Sequence, residues 1–451
     1  MKNRTYEVVI IGGGVSGCAL LYTLARYTDV RSVALVEKYD GLALLNSSAR
    51  ANSQTLHCGD IETNYTLAKA RQVKQIASMI VRYGALDPDG HRYLRPHPKM
   101  VLGVGEQEVE YLTRRHAEFA EAFPYLELWD ARRIAEVEPQ VATLDGVLRR
   151  EPLVASGCTG EVSAVEYGAL AASFVRRASE ERAVSSETHL RTCVRRIVAR
   201  EGNFAVVTDD GTLHAGAVAV NAGAHSLLLA HGMGYGLEYA ILPVAGSFYT
   251  VPRTLNAKVY TVQNPKLPFA ALHVDPDLTQ PGVARIGPTA LVLPKLERYR
   301  PGTYLDFLRV LRPDRGVAVA LWGLLRDPEI RAYIGRNVLF EVPLLRRRLF
   351  LRDARKIIPS LRLEELTFAR GIGGVRPQLI DRRQRRLILG EGHIDPGHGT
   401  LFNITPSPGA TTCLGTAYRN ARSLTAHLGR RLDEDRLVRE LLGGMALAES
   451  A

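Results

Sequence analysis

Residues 6–38 constrain the fold more tightly than any other stretch. "YEVVIIGGGVSGCALLYTLARY" is an apolar run, then Gly12-x-Gly14-x-x-Gly17, then a helical apolar pattern through Leu20, Leu21 and Leu24. "SVALVEK" follows as a second strand that reaches Glu37, twenty residues beyond Gly17. Gly12 permits a tight turn, Gly14 lets the backbone approach a pyrophosphate, and Gly17 lets the helix pack on the strand. The helix N-terminus then faces the phosphates, and Glu37 accepts hydrogen bonds from a ribose. Only a parallel strand–helix–strand unit satisfies all of these at once, so the chain opens with a dinucleotide-binding fold.

No second copy of the motif competes. "GVGEQ" at 103–107 lacks the third glycine, and "GIGGVRP" at 371–377 meets Pro377 where a helix would have to begin. A chain of 451 residues holds two or three domains, so one dinucleotide site leaves much of it for another task. A further apolar strand, "AGAVAVNAGAHS" at 215–226, ends in Asn221-Ala222-Gly223, a strand-to-turn suited to covering an adenine. "MKNR" followed by an apolar run to "VSGC" imitates a lipoprotein leader, but Gly12, Gly13 and Gly14 interrupt it, and export is not expected. "GVAVALWGLL" is too short to span a bilayer, and the charge-free stretch 215–237 carries five glycines. Cys18, Cys58, Cys158, Cys193 and Cys413 are dispersed, with no C-x-x-C, which suits a reducing compartment and argues against disulfides or a metal site. The net charge is +11, and residues 301–400, with 19 basic and 11 acidic residues, carry 8 of that excess. Such a region fits nucleic acid, an anionic membrane, an acidic substrate, or simply a solvated face.

After the second strand the sequence turns polar: "NSSARANSQTLHCGDIETNY", residues 46–65, offers little to pack. It resembles the segment that, in FAD enzymes of the D-amino-acid oxidase type, runs extended along the diphosphate towards the flavin. On that resemblance Ser47, Ser48, Asn52, Ser53, Gln54 and Thr55 hydrogen-bond the cofactor and His57 approaches its ring. A helix follows within "NYTLAKARQVKQIASMIVRYG", which has apolar positions near helical spacing.

An ordered set of segments extends the resemblance along nearly the whole chain: "NSQTLHCGDIETNYT", "LPVAGSFY" (242–249), "VYTVQNPKLPFAALHVDPD" (259–277), "RIGPTALVLPKLERY" (285–299), "GGVRPQLID" (373–381) and "NITPSPGATTCL" (403–414). Together they resemble malate:quinone oxidoreductases, a branch of the FAD-dependent 2-hydroxyacid dehydrogenases that also includes L-2-hydroxyglutarate dehydrogenase. The resemblance implies FAD-dependent oxidation of (S)-malate to oxaloacetate, a step of the tricarboxylic acid cycle. It also implies a membrane quinone as electron acceptor and a peripheral position on the cytoplasmic membrane face. A small dianion needs cations of fixed geometry. Arg376, in the return towards the flavin, is the first choice because a guanidinium binds carboxylate at two points. Lys266, Arg285 and Lys295 are candidates for the second carboxylate. A base must take the hydroxyl proton, and His57 and His273 both lie in resembling segments. In "PSPGATT", Pro408, Gly409, Ala410 and Thr411 precede a helix from about 413 to 429, and their backbone N–H groups suit a flavin.

The expected fold is α/β: a discontinuous Rossmann-like FAD-binding domain from 1–85, 155–240 and 365–451, with a mixed α+β substrate domain from 86–154 and 241–364. The end of the chain, "RRLDEDRLVRELLGGMALAES", has the pattern of an amphipathic helix. Two other readings remain: an oxidase or dehydrogenase of the same fold acting on an amino acid or 2-hydroxyglutarate, and an FAD-containing RNA-modifying protein. Charge alone suggests the latter, and no aromatic-basic strand pattern or RNA module accompanies it. No nucleic-acid partner is therefore expected.

Overall fold

The computed structural model describes residues 4–446 apart from 264–270, 344, 389 and 407. The expected opening unit is present as strand Arg4–Ile11, helix Val15–Tyr27 and strand Ser32–Val36. Eleven of the helix's thirteen residues are buried. A helix that is apolar on every side belongs inside a protein. Here the sheet lies on one side and helices Tyr167–Glu180 and Cys413–Leu428 on the other. Strands 185–189, 32–36, 4–11 and 211–220 run parallel in that order, and 203–208 and 194–200 continue the sheet antiparallel. The far end of 211–220 pairs in parallel with Thr400–Ile404, so the C-terminal part of the chain returns beside the first strand's carboxyl end. That edge is where ligands bind in an open α/β sheet.

The helix expected within 64–84 spans Leu67–Leu86. Thr66 caps it by accepting from the Lys69 N–H, and Ala70, Val73, Ile76, Ala77, Ile80 and Tyr83 form its buried stripe. Near the end of the chain, helix Glu434–Leu437 continues as a wider turn over Val438–Leu442 and stops at Gly443 in the left-handed region, φ 63°. The amphipathic pattern thus yields a shorter helix than "RRLDEDRLVRELLGGMALAES" promised. Gly443 and Gly444 both have positive φ, which ends helical hydrogen bonding.

A second, eight-stranded sheet runs in the order 367–368, 249–251, 284–287, 273–276, 258–261, 99–104, 153–158 and 127–129. Its core holds Met100, Leu102, Trp129, Val259, Ile286, Phe350 and Ile358. Strand Leu153–Cys158 straddles the expected boundary at 155, pairing with 99–104 and 127–129 in this second sheet. A four-stranded sheet links the two regions: 239–245 pairs antiparallel with 375–381, placing Val244 opposite Arg376. Four helices, Tyr304–Leu311, Arg315–Arg326, Pro328–Leu339 and Arg346–Ala354, occupy much of the basic region. Among the described residues no helix is long and apolar enough to cross a membrane.

Candidate active site

The first strand ends in a turn that only glycine can make. Gly12 has φ 109°, and a Cβ there would stand 2.4 Å from the Asn221 carbonyl oxygen. A Cβ on Gly17 would lie 1.9 Å from the Gly12 carbonyl oxygen, so this glycine packs helix on turn and does not reach the cavity above. Glu37 closes the second strand: its carboxylate accepts from the Gly13 N–H at 2.7 Å and from the Tyr39 N–H at 2.9 Å. Above the turn a cavity of about 470 Å³ begins at Gly12, Gly14 and Glu37 and continues past Ser47, Asn52, Ser53 and Thr55 to His57, His273 and Arg376. Asn221, Ala222 and Gly223 form part of its wall, and the buried Asn221 Nδ2 has no protein acceptor.

The polar stretch at 46–57 is fastened by its side chains and carbonyls where ordinary chains use apolar packing. Asn46 donates to the Val375 carbonyl at 2.9 Å and accepts from the Val375 N–H at 3.2 Å, beside Arg376. Ser47 Oγ accepts from the Val15 N–H at 3.0 Å, and Asn52 donates to the Ser48 carbonyl at 2.9 Å. Lys258 donates to the Ser53 carbonyl at 3.0 Å, while Tyr167 donates to that of Thr55 at 2.8 Å. Two members depart from the expected role. Gln54 is buried outside the cavity, donating to the Ala49 carbonyl and accepting from the Leu278 N–H at 2.8 Å. Ser48 also lies outside the cavity lining, in a turn where its Oγ accepts from the Arg50 N–H. Both stabilise the loop's path instead of facing a cofactor.

At the far end two histidines flank the Tyr260 ring. His273 stacks on it with centroids 4.5 Å apart at 23°, and His57 meets it edge-on at 6.1 Å. Each histidine has a carboxylate against Nδ1. His57 Nδ1 is 2.6 Å from Glu62 Oε1. His273 Nδ1 stands 2.5 Å from Asp275 Oδ2, though off the line of a hydrogen bond. Lys258 donates to the other Asp275 oxygen at 3.0 Å. All three groups of this His273–Asp275–Lys258 cluster are buried. Burial pushes the His273 imidazole below its ordinary value, with Lys258 reinforcing and Asp275 opposing. Burial also opposes the charge on Asp275, but Lys258 and His273 overcome it and hold that carboxyl well below the usual carboxylate range. A buried histidine kept neutral, with one ring nitrogen oriented by a carboxylate, is equipped to accept a proton at the other.

Arg376 lines the same end. Burial lowers its guanidinium pKa, opposed by the nearby Tyr333, Tyr260 and Tyr65, and among the described residues no carboxylate stands within ion-pair distance. Arg376 is half-buried; a partly desolvated cation without an anionic partner is costly, and a ligand carboxylate would relieve that cost. The weaker cation candidates fare differently. Arg285, only 2% exposed, is committed to Asp277 at 2.5 Å and to the Ala49 carbonyl. Lys295 does not line the cavity, and Lys266 lies outside the described residues. Pro408, Gly409, Ala410 and Thr411 do line it. The turn itself uses the N–H groups of Gly409, Thr411 and Thr412, bonding them to the Pro406 and Pro408 carbonyls. That leaves fewer backbone donors for a ligand than the sequence suggested. Sequence reasoning missed Thr192 and Arg195 near the Glu37 end, and Phe248, Pro288, Thr289 and Ala290 near the histidines. Thr192 and Arg195 lie in no motif, whereas Phe248 and 288–290 lie inside the family-like segments 242–249 and 285–299 without being singled out by them. They reach the cavity only because distant strands converge there.

The residues fit FAD: the glycine turn, Glu37 and the unpartnered Asn221 amide suit a dinucleotide, and a long cavity leads from them to the histidines. The family model described as FAD dependent oxidoreductase matches residues 7–422. A Campylobacter jejuni protein named probable malate:quinone oxidoreductase is 44% identical over 449 residues, covering 98% of this chain and 100% of its own. A Helicobacter pylori malate:quinone oxidoreductase is 44% identical over 441 residues, covering 97% and 98%. Among solved structures, the FAD-bound L-alpha-glycerophosphate oxidase of Mycoplasma pneumoniae superposes with a TM-score of 0.63 at 19% identity, covering 94% of this chain and 95% of its own.

Proposed function

Because the chain belongs to the FAD dependent oxidoreductase family and, within it, to the malate:quinone oxidoreductases, we infer that it oxidises malate to oxaloacetate and passes the electrons to a quinone. The observation that carries this reading is the half-buried Arg376, lacking a carboxylate partner among the described residues, in one cavity with two histidines that each have a carboxylate against Nδ1. FAD, when bound, accepts the two electrons and the C2 hydrogen of the substrate. Gly12, Gly14, Glu37, Ser47, Asn52, Ser53, Thr55 and the 221–223 and 408–411 turns hold it. Arg376 binds one malate carboxylate through two parallel hydrogen bonds. His273 takes the hydroxyl proton at Nε2, because Asp275 occupies the side of Nδ1. His57 and Glu62 orient the opposite wall. Phe248 and Pro288 narrow the water's access to the reacting carbon.

The two domains we propose divide as the sequence suggested, except that strands Leu153–Cys158 and Thr367–Phe368 go with the substrate domain. The protein works as a peripheral membrane enzyme on the cytoplasmic side, without a nucleic-acid partner. Supporting this are exposed apolar side chains at helical spacing: Leu305 with Leu308, and Val319 with Trp322 and Leu325. Trp322 is 59% exposed, and exposed arginines Arg312, Arg315 and Arg326 lie beside these residues in the chain. Aromatic and basic residues together suit the interface of an anionic bilayer. Within the basic region 301–400 the contact is thereby centred on the helices of 304–326 rather than on the later arginines. Arg346 lies over the Phe368 ring, Arg355 donates to the Leu361 carbonyl, and Lys356 pairs with Glu108.

The test is anaerobic addition of malate, 2-hydroxyglutarate or lactate to the purified flavoprotein. Malate bleaches the flavin absorbance fastest and, without added NAD, sustains dye reduction. Faster bleaching by 2-hydroxyglutarate, or an absolute need for NAD, overturns the reading.

A further inference from the structure

A second cavity, of about 600 Å³, lies behind the active-site wall. Pro288 and Thr289 line both cavities. Ala290 lines the first, and its N–H donates at 2.7 Å to Oδ1 of the buried Asn337, which lines the second. Tyr333, another lining residue, is close enough to Arg376 for each to perturb the other's titration. The two spaces are therefore separated by little more than the segment 288–290 between two strands.

The second cavity is built unlike the first. Val262, Leu272, Phe340, Leu349 and Phe350 give it an apolar, partly aromatic wall. Phe340 and Phe350 meet edge-to-face with centroids 5.6 Å apart, and Phe350 stacks on Tyr249 at 4.1 Å, so the aromatic wall is fixed. Arg336, Arg352 and Lys356 supply donors. Arg336 is paired with Asp353 and Lys356 with Glu108, so two of the three cations are largely neutralised and the lining does not make a site for a dianion. Helix Pro328–Leu339 contributes Arg336 and Asn337 to the cavity while exposing Val338 and Leu339 to solvent, and Val342 and Leu345 continue that exposed apolar surface. One helix thus joins the cavity to a surface suited to lipid.

We propose that this cavity receives the head group of the membrane quinone, with the isoprenoid tail leaving past Val338, Leu339 and Val342 into the bilayer. This rests on the malate:quinone reading and names the acceptor's site. An aromatic, uncharged ring with two carbonyl acceptors matches apolar walls interrupted by a few N–H donors. The head group takes up two electrons from the reduced cofactor and two protons, becoming the quinol. Malate gives up two electrons and two protons as its C2–H and O–H bonds break, so the overall change is malate plus quinone to oxaloacetate plus quinol.

The experiment compares two acceptors on the holoenzyme in detergent: a water-soluble dye and a benzoquinone carrying a ten-carbon tail. Leu349→Trp fills the cavity and Arg352→Glu alters its lining charge, and flavin content is measured for each. The expected result is a ratio of quinone rate to dye rate at least tenfold lower in Leu349→Trp, with a raised KM for the quinone. An unchanged ratio overturns the site. Should Leu349→Trp lose its flavin, photolabelling of the wild-type holoenzyme with an azido-benzoquinone decides instead. Labels within 328–356 support the site, and labels confined to other segments overturn it. A wild-type enzyme that malate bleaches but no quinone reoxidises removes the acceptor reading itself, a failure distinct from that of the cavity.

Discussion

At the scale of single residues, the half-buried Arg376 and the buried Asp275 are opposite cases of desolvated charge. Arg376 has no carboxylate partner among the described residues. Arg376→Ala leaves a substrate carboxylate unpaired, and removing one partner of a desolvated pair costs about 2–5 kcal/mol. At roughly 1.4 kcal/mol per decade, kcat/KM for malate falls by a factor on the order of 30 to several thousand. Flavin content is retained, since the glycine turn lies at the other end of the cavity, and Arg376→Lys restores only part of the loss. Loss of flavin along with activity would place Arg376 in the cofactor site. Asp275 lies outside the cavity lining, so on the proposed mechanism it acts through His273 and does not touch substrate. A base works above its pKa and fails as pH falls through it. The groups facing His273 are Asp275, which raises its pKa, Lys258 and His57, which lower it, and the stacked Tyr260. Asp275→Asn therefore lowers the plateau of kcat/KM and moves its acid limb to lower pH, whereas Lys258→Met moves the limb to higher pH. An acid limb that survives in His273→Asn but vanishes in His57→Asn would make His57 the base.

Among the elements, the loop 46–57, a run of turns as far as Asn52, and the first helix do different work from the same end of the sheet. The loop is held by Asn46 to Val375, by Lys258 to Ser53 and by Tyr167 to Thr55, so it ties the cofactor sheet to both other sheets. Losing a hydrogen bond that satisfies a buried group costs about 1–3 kcal/mol. Asn46→Ala releases two such contacts beside Arg376 and weakens both FAD retention and malate KM, with far-ultraviolet circular dichroism unchanged. Equal effects on neither would show that the loop is held elsewhere. The helix is less tolerant. Gly17→Ala drives a methyl to 1.9 Å from the Gly12 carbonyl oxygen. Backbone on both sides prevents relief, so the variant is isolated without flavin or not isolated at all. Recovery of a fully flavinated Gly17→Ala protein would contradict that packing.

For the whole molecule, the arrangement separates three environments: a dinucleotide edge on the first sheet, a polar reaction chamber between the sheets, and an apolar, basic helical surface from 304 to 345. Binding to anionic vesicles follows, weakening as salt rises, since each basic group near such a surface contributes about 1 kcal/mol within a Debye length. Trp322→Asp reduces the bound fraction in a vesicle sedimentation assay without changing malate:dye activity. Sedimentation that is independent of salt and of Trp322 would assign the contact to another face.

Residues 6–38 by themselves determined the cofactor fold, because Gly12, Gly17 and Glu37 owe their roles to backbone geometry within one strand–helix–strand unit. The helix after Thr66 was legible for the same local reason, an apolar stripe with a cap. Only the tertiary structure decided the rest. Gln54 and Ser48 read like their cavity-lining neighbours, yet turn geometry and a contact to Leu278 take them out of it. Arg285 and Arg376 are both arginines in family-like segments, and only strand pairing puts Asp277 beside one and leaves the other facing the cavity. His273 has its carboxylate, Asp275, two residues along the same strand, but that carboxylate's counter-ion, Lys258, arrives from the neighbouring strand 258–261. Local sequence fixes a backbone's allowed shapes, whereas the charge environment of a buried side chain is set by whichever distant groups the fold packs around it.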